Sequence, residues 1–373
     1  MSFDAQHVRK YPHQPQFTDK RVSCRAMNSA RASATAVVIG GGVIGLFTAL
    51  RLREAGFAVR LLERGEVGRS ASWAGGGILC PLYPWRAPPE VWALAAESMA
   101  SYSGICDSLA DATGIDPEWT PSGMRIFDAF DATELATIRD WATASGLLVI
   151  ASESALSGAP RPSHWLPWVA QLRNPRLCRA LAARLRQLGV QISEQVGDIA
   201  LAERGNRAYV ANPQIEADVM VVCAGAWTNA LLTPLNWPQA IAPVRGQMLL
   251  FRAKPGLLRE IVLNKDRYLI PRRDGYILAG STVEPEAGFD ASITAAALDE
   301  LRSFATELMP ELSSARIEHQ WAGLRPGSRN GVPVISRHPE LSNLFINAGH
   351  YRNGLTMAPA SALSLCRLIQ PAY

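Results

Sequence analysis

Arg325 and Arg352 are the side chains in this sequence best placed to do chemistry. The first lies in WAGLRPGS (321–328) and the second in NAGHYRNGLTMAPA (347–360), each flanked by glycine and each read as a turn. A guanidinium grips a carboxylate through two parallel hydrogen bonds and does not give up its charge. Glycine on either side lets backbone pass close to a ligand. A single arginine is more often a surface ion-pair former than a clamp. Two of them, in segments that bracket GVPVIS (331–336), predict a pocket for a small carboxylate.

Such a pocket needs a scaffold, and the clearest one is near the other end of the chain. TAVVI (35–39) is a short, β-branched apolar run suited to a buried parallel strand. Gly40-Gly41-Gly42-Val43-Ile44-Gly45 follows at once, then a helix from about Val43 to Glu54 closed by Gly56, then a strand over 57–63 ending at Glu63. In a strand–GxGxxG–helix–strand unit, Gly40 permits the tight turn, Gly42 lets backbone approach a pyrophosphate, and Gly45 lets helix and strand pack closely. The helix N-terminus offers free N–H groups to phosphates, and an acidic strand end accepts hydrogen bonds from ribose. The unit predicts a dinucleotide cofactor. Gly68–Leu79 (GRSASWAGGGIL) is small and glycine-rich, and predicts backbone lying against that cofactor.

Composition excludes several other functions. A hydrophobic share of 48% and a charged share of 19% over 373 residues are those of a globular protein with room for two domains. The net charge of +4 resides in residues 1–34, where Arg9, Lys10, Lys20, Arg21, Arg25 and Arg31 face only Asp4 and Asp19. The remainder is neutral and lacks the footprint of a nucleic-acid binder. The leader has no apolar core of signal-peptide length and reads as a disordered extension; the longest apolar run, 36–50, is too short to span a bilayer. Cys24, Cys80, Cys106, Cys178, Cys223 and Cys366 form no CxxC pair and lie at no metal-ligand spacing, which predicts free thiols in a reducing cytoplasm and no metal site.

Further along, helices are expected over 91–113, 174–188, 294–309 and 355–369, with Pro359 in the first turns of the last. Residues 116–160 and 164–169, rich in Trp and Pro, read as strands and loops. DVMVVC (218–223) is a buried strand running into Ala224-Gly225-Ala226-Trp227, and 243–282 reads as antiparallel strands with a turn at Arg273-Asp274-Gly275.

Together, SASWAGGGIL, VRGQMLLF, RYLIPRRDG, WAGLRPGS and GHYRNG resemble the D-amino-acid oxidase superfamily of flavoproteins and, within it, the glycine oxidases of thiamine biosynthesis. The resemblance covers about 36–369. It implies an α/β chain with a discontinuous Rossmann-type FAD-binding domain (35–83, 172–238 and 322–373) and a substrate domain with an antiparallel sheet (84–171 and 239–321). The cofactor would be held by Gly40, Gly42, Val43, Ile44 and Gly45 at the pyrophosphate and by Glu63 and Arg64 at the adenosine. Ser70, Ala71, Ser72, Ala74, Gly75, Gly76 and Gly77 would run beside pyrophosphate and flavin. Val196 would touch adenine through its backbone, and Ala224, Gly225 and Trp227 would line the cleft. Gly349, His350, Tyr351, Arg352, Asn353, Gly354 and Leu355 would lie at the flavin, where the last helix aims its positive end at the ring.

The same resemblance makes Arg325 and Tyr268 the carboxylate clamp, with Arg352 beside them in the catalytic and substrate-binding set. His350 is read as a turn histidine rather than a base, and Trp321 as a core aromatic. Asp266 stands where the glycine oxidases carry His, Val283 where a Met lines their pocket, and the loop Tyr83–Arg86 is bulkier than theirs. The implied reaction is FAD-dependent oxidation of glycine, sarcosine or small D-amino acids by O2, giving 2-oxo acid, ammonia and hydrogen peroxide, with the imine feeding thiazole synthesis. The alternative is a D-amino-acid dehydrogenase passing electrons to a quinone. No nucleic acid partner and no transmembrane segment are expected, and a homo-oligomer, a tetramer by resemblance, is.

Overall fold

The structure, a computed structural model, describes residues 34–154, 156 and 161–370. The leader up to residue 33, with Cys24, lies outside them. Two sheets organise the rest.

The first is six-stranded, ordered Val334–Arg337, Leu344–Ala348, Val219–Val222, Thr35–Ile39, Ala58–Leu62, Gln191–Ser193. All neighbours are parallel except the pair Val334–Arg337 and Leu344–Ala348. Buried on both faces, its strands are nearly continuous apolar runs. Alternation along Thr35–Ile39 sends Ala36 and Val38 to one core, with Phe47, Leu177, Leu181 and Leu365 from the helices Val43–Glu54, Asn174–Gln187 and Gly354–Ile369. Val37 and Ile39 go to the other core, under a three-stranded sheet of Leu201–Arg204, Arg207–Ala211 and Gln214–Ile215.

The second sheet has eight strands, ordered Arg316–Gly327, Ala242–Arg252, Tyr276–Gly280, Arg267–Pro271, Ile261–Asn264, Met124–Ile126, Arg161–Leu166, Ile150–Ser154. It is antiparallel apart from the pair Met124–Ile126 and Ile261–Asn264. Leu249, Phe251 and Leu269 face the helix Ala295–Leu308, while Met248, Tyr268 and Ile270 face the opposite way. The chain enters the parallel sheet three times and leaves it twice to build the antiparallel one.

Two expectations change. Residues 132–145 are a helix, within a stretch read as strands and loops. Arg325 sits on a twelve-residue strand, Arg316–Gly327, rather than in a turn. That strand pairs along its whole length with Ala242–Arg252, and the boundary expected at 322 falls inside it.

Candidate active site

A cavity of about 940 Å³ lies between the two sheets, near the upper end of the range for cofactor sites. Its floor is the carboxyl ends of four parallel strands: Ile39 and Gly40, Leu62 and Glu63, Cys223 and Ala224, Asn347 and Ala348 all line it. Ligands bind α/β sheets at such strand ends.

The turn after the first strand is as tight as its glycines demand. Gly40 has φ +110°, and a Cβ there would overlap the Cys223 carbonyl. A Cβ on Gly45 would overlap the Gly40 carbonyl, so helix and strand can approach only with glycine at both places. The helix Val43–Glu54 starts at the cavity with no acidic residue in its first turn, and Val43 N–H donates to Ser72 Oγ at 2.8 Å. Glu63 accepts from the backbone N–H of Gly41 (2.6 Å) and Gly65 (2.9 Å), which fixes its carboxylate at the rim of this glycine cradle. Arg64 stacks over the Trp227 ring at 4.3 Å, and both line the same end.

The far end is built by the antiparallel sheet and the last helix. Tyr268 projects from Arg267–Pro271 and is buried; its hydroxyl lies 3.2 Å from Ser281 Oγ. Arg325 donates to Ser281 Oγ at 2.8 Å and to the carbonyls of Thr282 and Arg245 at 3.2 and 3.3 Å. Burial pulls its pKa down, the neighbouring Tyr268 raises it, and the Arg352 charge lowers it again. No carboxylate lies within ion-pair distance of Arg325 or Arg352 among the described residues. An arginine held only by neutral acceptors, at the wall of a cavity, keeps its charge available to an anion. Arg352 donates to the Asp266 carbonyl at 3.3 Å. The helix Gly354–Ile369 begins at this end, again with no acidic residue in its first turn, so two positive helix ends meet one cavity.

All of the expected site residues line this cavity except Gly45, which packs behind it, and Val196. The backbone N–H of Val196 is already given to the Glu63 carbonyl at 3.2 Å, and Asp198 and Ile199 reach the cavity instead. Val283 does not line it either; it is exposed, and Met248 supplies the sulfur there. Trp321 packs edge-on against Trp73 and donates to the Ala74 carbonyl at 3.1 Å, a structural role. His350 is fully buried, bonds Ser361 Oγ through Nε2 at 3.0 Å, and is held neutral by burial, which drops its pKa to about 3. It is no base at working pH.

Sequence reading missed Ser281, Gly246, Met248, Asn174 and Asn347, all on the cavity wall. Asn174 had a signal, since Asn-Pro reads as a helix cap and first-turn proline; the cap is Arg173 instead, and Asn174 Nδ2 donates to the Ser72 carbonyl at 3.0 Å. Arg272 is a second hidden arginine. It donates to the carbonyls of Gly76 (2.8 Å) and Leu172 (3.0 Å) and to Gln171 Oε1 (2.8 Å), tying the sheet to the glycine-rich loop, and burial lowers its pKa to about 10.

A cavity with a glycine cradle and a positive helix end, and a second helix end with two guanidinia that meet no carboxylate among the described residues, fits an anionic dinucleotide and a carboxylate beside it. Among the described residues no group of three His, Cys, Asp or Glu could hold a metal, and no helix is long and apolar enough to cross a membrane.

The FAD dependent oxidoreductase family matches residues 35–368. The chain is 44% identical over 349 residues to the glycine oxidase of Pseudomonas aeruginosa, covering 90% of this chain and 94% of that protein. It is 31% identical to the bifunctional protein ThiO/ThiG of Synechocystis sp., over 91% of this chain and 52% of that one. Its fold matches the crystal structure of glycine oxidase from Geobacillus kaustophilus with a TM-score of 0.84 and 26% identity, covering 91% and 95% of the two chains. This chain belongs to the FAD-dependent oxidoreductase family.

Proposed function

We propose that the protein oxidises glycine, and with it sarcosine and small D-amino acids, to the 2-oxo acid, hydrogen peroxide and ammonia, with methylamine in place of ammonia from sarcosine. Glycine, water and O2 give glyoxylate, ammonia and H2O2, so atoms and electrons balance. The observation that carries this reading is Arg325: a guanidinium on the cavity wall, bonded to Ser281 Oγ and two carbonyls, with no carboxylate partner among the described residues.

FAD, when bound, supplies the two-electron acceptor that the side chains lack. The Gly40–Gly45 turn, Glu63, the 70–77 loop and the 349–355 segment would hold it. Arg325 takes the substrate carboxylate bidentately, and the Tyr268 hydroxyl adds a third bond. Ser281 keeps both in place by bonding each of them. With the carboxylate pinned, the α-carbon has one orientation, and catalysis is largely positioning. Neither Ser281 nor Met248 beside the clamp is a base, and His350 is held neutral; the amine must arrive neutral. Met248, Gly246 and Gly323 line this end of the cavity.

The identity to glycine oxidases favours O2 over a quinone as the acceptor, and the likeness to a ThiO/ThiG protein supports a place in thiamine biosynthesis. A homo-oligomer, a tetramer by resemblance, and a cytoplasmic location belong to the same proposal; light scattering on the purified protein reads the first. The deciding experiment is a peroxide-coupled screen of glycine, sarcosine and D- and L-amino acids with an oxygen electrode on the same samples. Turnover of D-amino acids with a dye acceptor, but without oxygen uptake, would replace this reading with the dehydrogenase.

A further inference from the structure

A file of aromatic rings leads from the cavity to the surface. Tyr83 lines the cavity. Its ring is 5.8 Å from Trp85, Trp85 is 6.2 Å from Trp141, and Trp141 is 5.0 Å from Trp92 and 6.1 Å from Trp168. Every step lies within the range of rings in contact. Trp85 is buried, whereas Trp141, Trp92 and Trp168 are partly exposed. Packing alone would account for such a cluster. It does not require that the most easily oxidised side chains be joined in series, one end on a redox cavity and the other in reach of water. Nor does it require carboxylates beside the first two rings: Tyr83 hydroxyl lies 3.1 Å from Asp128 Oδ2 and also meets the Lys265 carbonyl, and Trp85 Nε1 donates to Glu134 Oε1, itself paired with Arg86, at 2.8 Å.

We propose that Tyr83, Trp85, Trp141 and the outer pair Trp92 and Trp168 form a path that carries oxidising equivalents from the cavity to the surface. The oxidant is an oxygen-derived radical or the light-excited flavin. Tyr83 would give up one electron, its phenolic proton passing to Asp128. Trp85 then gives an electron to Tyr83, which recovers its proton; Trp141 gives one to Trp85, and an outer indole gives one to Trp141. The outer indole releases its N–H proton to water, so one electron has reached the oxidant and one indole is oxidised at the surface. The effect is to draw damage away from the substrate clamp. This inference rests on FAD occupying the cavity and is independent of which amino acid is oxidised.

Trp141 is the one ring here that touches both Trp85 and the outer pair, and its indole N–H has no hydrogen-bond partner, so Trp141→Phe removes no bond. The experiment is laser excitation of the flavin in the holoenzyme, following the visible absorption of oxidised tryptophan. Wild type is expected to show a long-lived tryptophan signal, and Trp141→Phe to lose it while keeping glycine turnover. A double variant, Trp92→Phe with Trp168→Phe, is expected to lose it as well and stands in if Trp141→Phe does not fold. Equal lifetimes in wild type and variant, or bound flavin with no tryptophan signal, overturn the path alone. Protein that shows no flavin absorbance after reconstitution overturns the path and the cofactor reading together.

Discussion

Gly246 lies directly against the guanidinium of Arg325. The two strands pair so that Val244 is opposite Arg325 and Gly246 opposite Gly323, and a Cβ built on Gly246 would overlap Nη1, Nη2 and Cζ of the arginine. The clamp therefore depends on a missing methyl group as much as on its charge. Gly246→Ala is expected to push the guanidinium off its position and lower kcat/KM for glycine by about a hundredfold, as misplacement on the scale of 1 Å can. Bound flavin, read by its visible absorbance, is expected to remain. Unchanged kcat/KM would mean that the carboxylate is held elsewhere.

Removing the charge tests the clamp itself. Loss of one partner from a buried, hydrogen-bonded charge pair costs about 2–5 kcal/mol, thirtyfold or more in kcat/KM. Arg325→Ala is expected to show at least that loss. Arg325→Lys recovers only part of it, because an ammonium cannot offer the two parallel bonds. Steady-state kinetics on both variants, with flavin content measured in parallel, decide the matter.

Ser281 links the two halves of the clamp and should behave as a positioning residue. A hydrogen bond to a charged group contributes about 1.5–3 kcal/mol. Ser281→Ala frees one guanidinium edge and the Tyr268 hydroxyl together. The expected result is a raised KM for glycine with kcat far less affected, and partial rescue by Ser281→Thr.

His350 sets a pH dependence of known sign. Its folded pKa, about 3, is below the ordinary value for histidine because the ring is buried. The unfolded chain therefore binds a proton that the folded one refuses, and stability falls as pH drops from about 6.5 towards 3. At pH 5 this one group disfavours the folded state by about 2 kcal/mol relative to neutral pH. Thermal denaturation between pH 7 and 5 should show a smaller loss of Tm for His350→Gln than for wild type. Parallel curves would show that the ring is protonated, or solvated, in the folded protein.

Much of this architecture is readable locally. The strand 35–39 and the helix 43–54 fall where apolar spacing and the glycine fingerprint put them, because both signals lie within a few residues of the elements they define. The helix Ala132–Ser145 was readable too, though not by its apolar face, since only Ile138 is fully buried. Its ends carry the message. Asp131 accepts from Glu134 N–H in a capping arrangement, and Gly146 closes it at φ 68°. Ser281, Gly246 and Met248 are different. Their place at the cavity follows from cross-strand register, with Met248 and Tyr268 both opposite Gly280, and no short window of sequence contains that register. Arg325 was legible as a candidate for the cavity wall by residue type, whereas its strand was not, because Gly323, Pro326 and Gly327 speak for a turn until their partners in 242–252 are known.

In the proposed reaction the run from Arg325 to Leu355 would serve both ligands: it leaves the antiparallel sheet at Gly327, supplies two strands of the six-stranded one, and returns to the cavity at Asn347. A change of diet in this protein cannot easily be written into that ribbon, since each edit for a new amino acid would also disturb the grip on the coenzyme. Tyr83, Lys265 and Asp266 border the same chamber on separate loops. Selection, natural or in the laboratory, has its freest hand there.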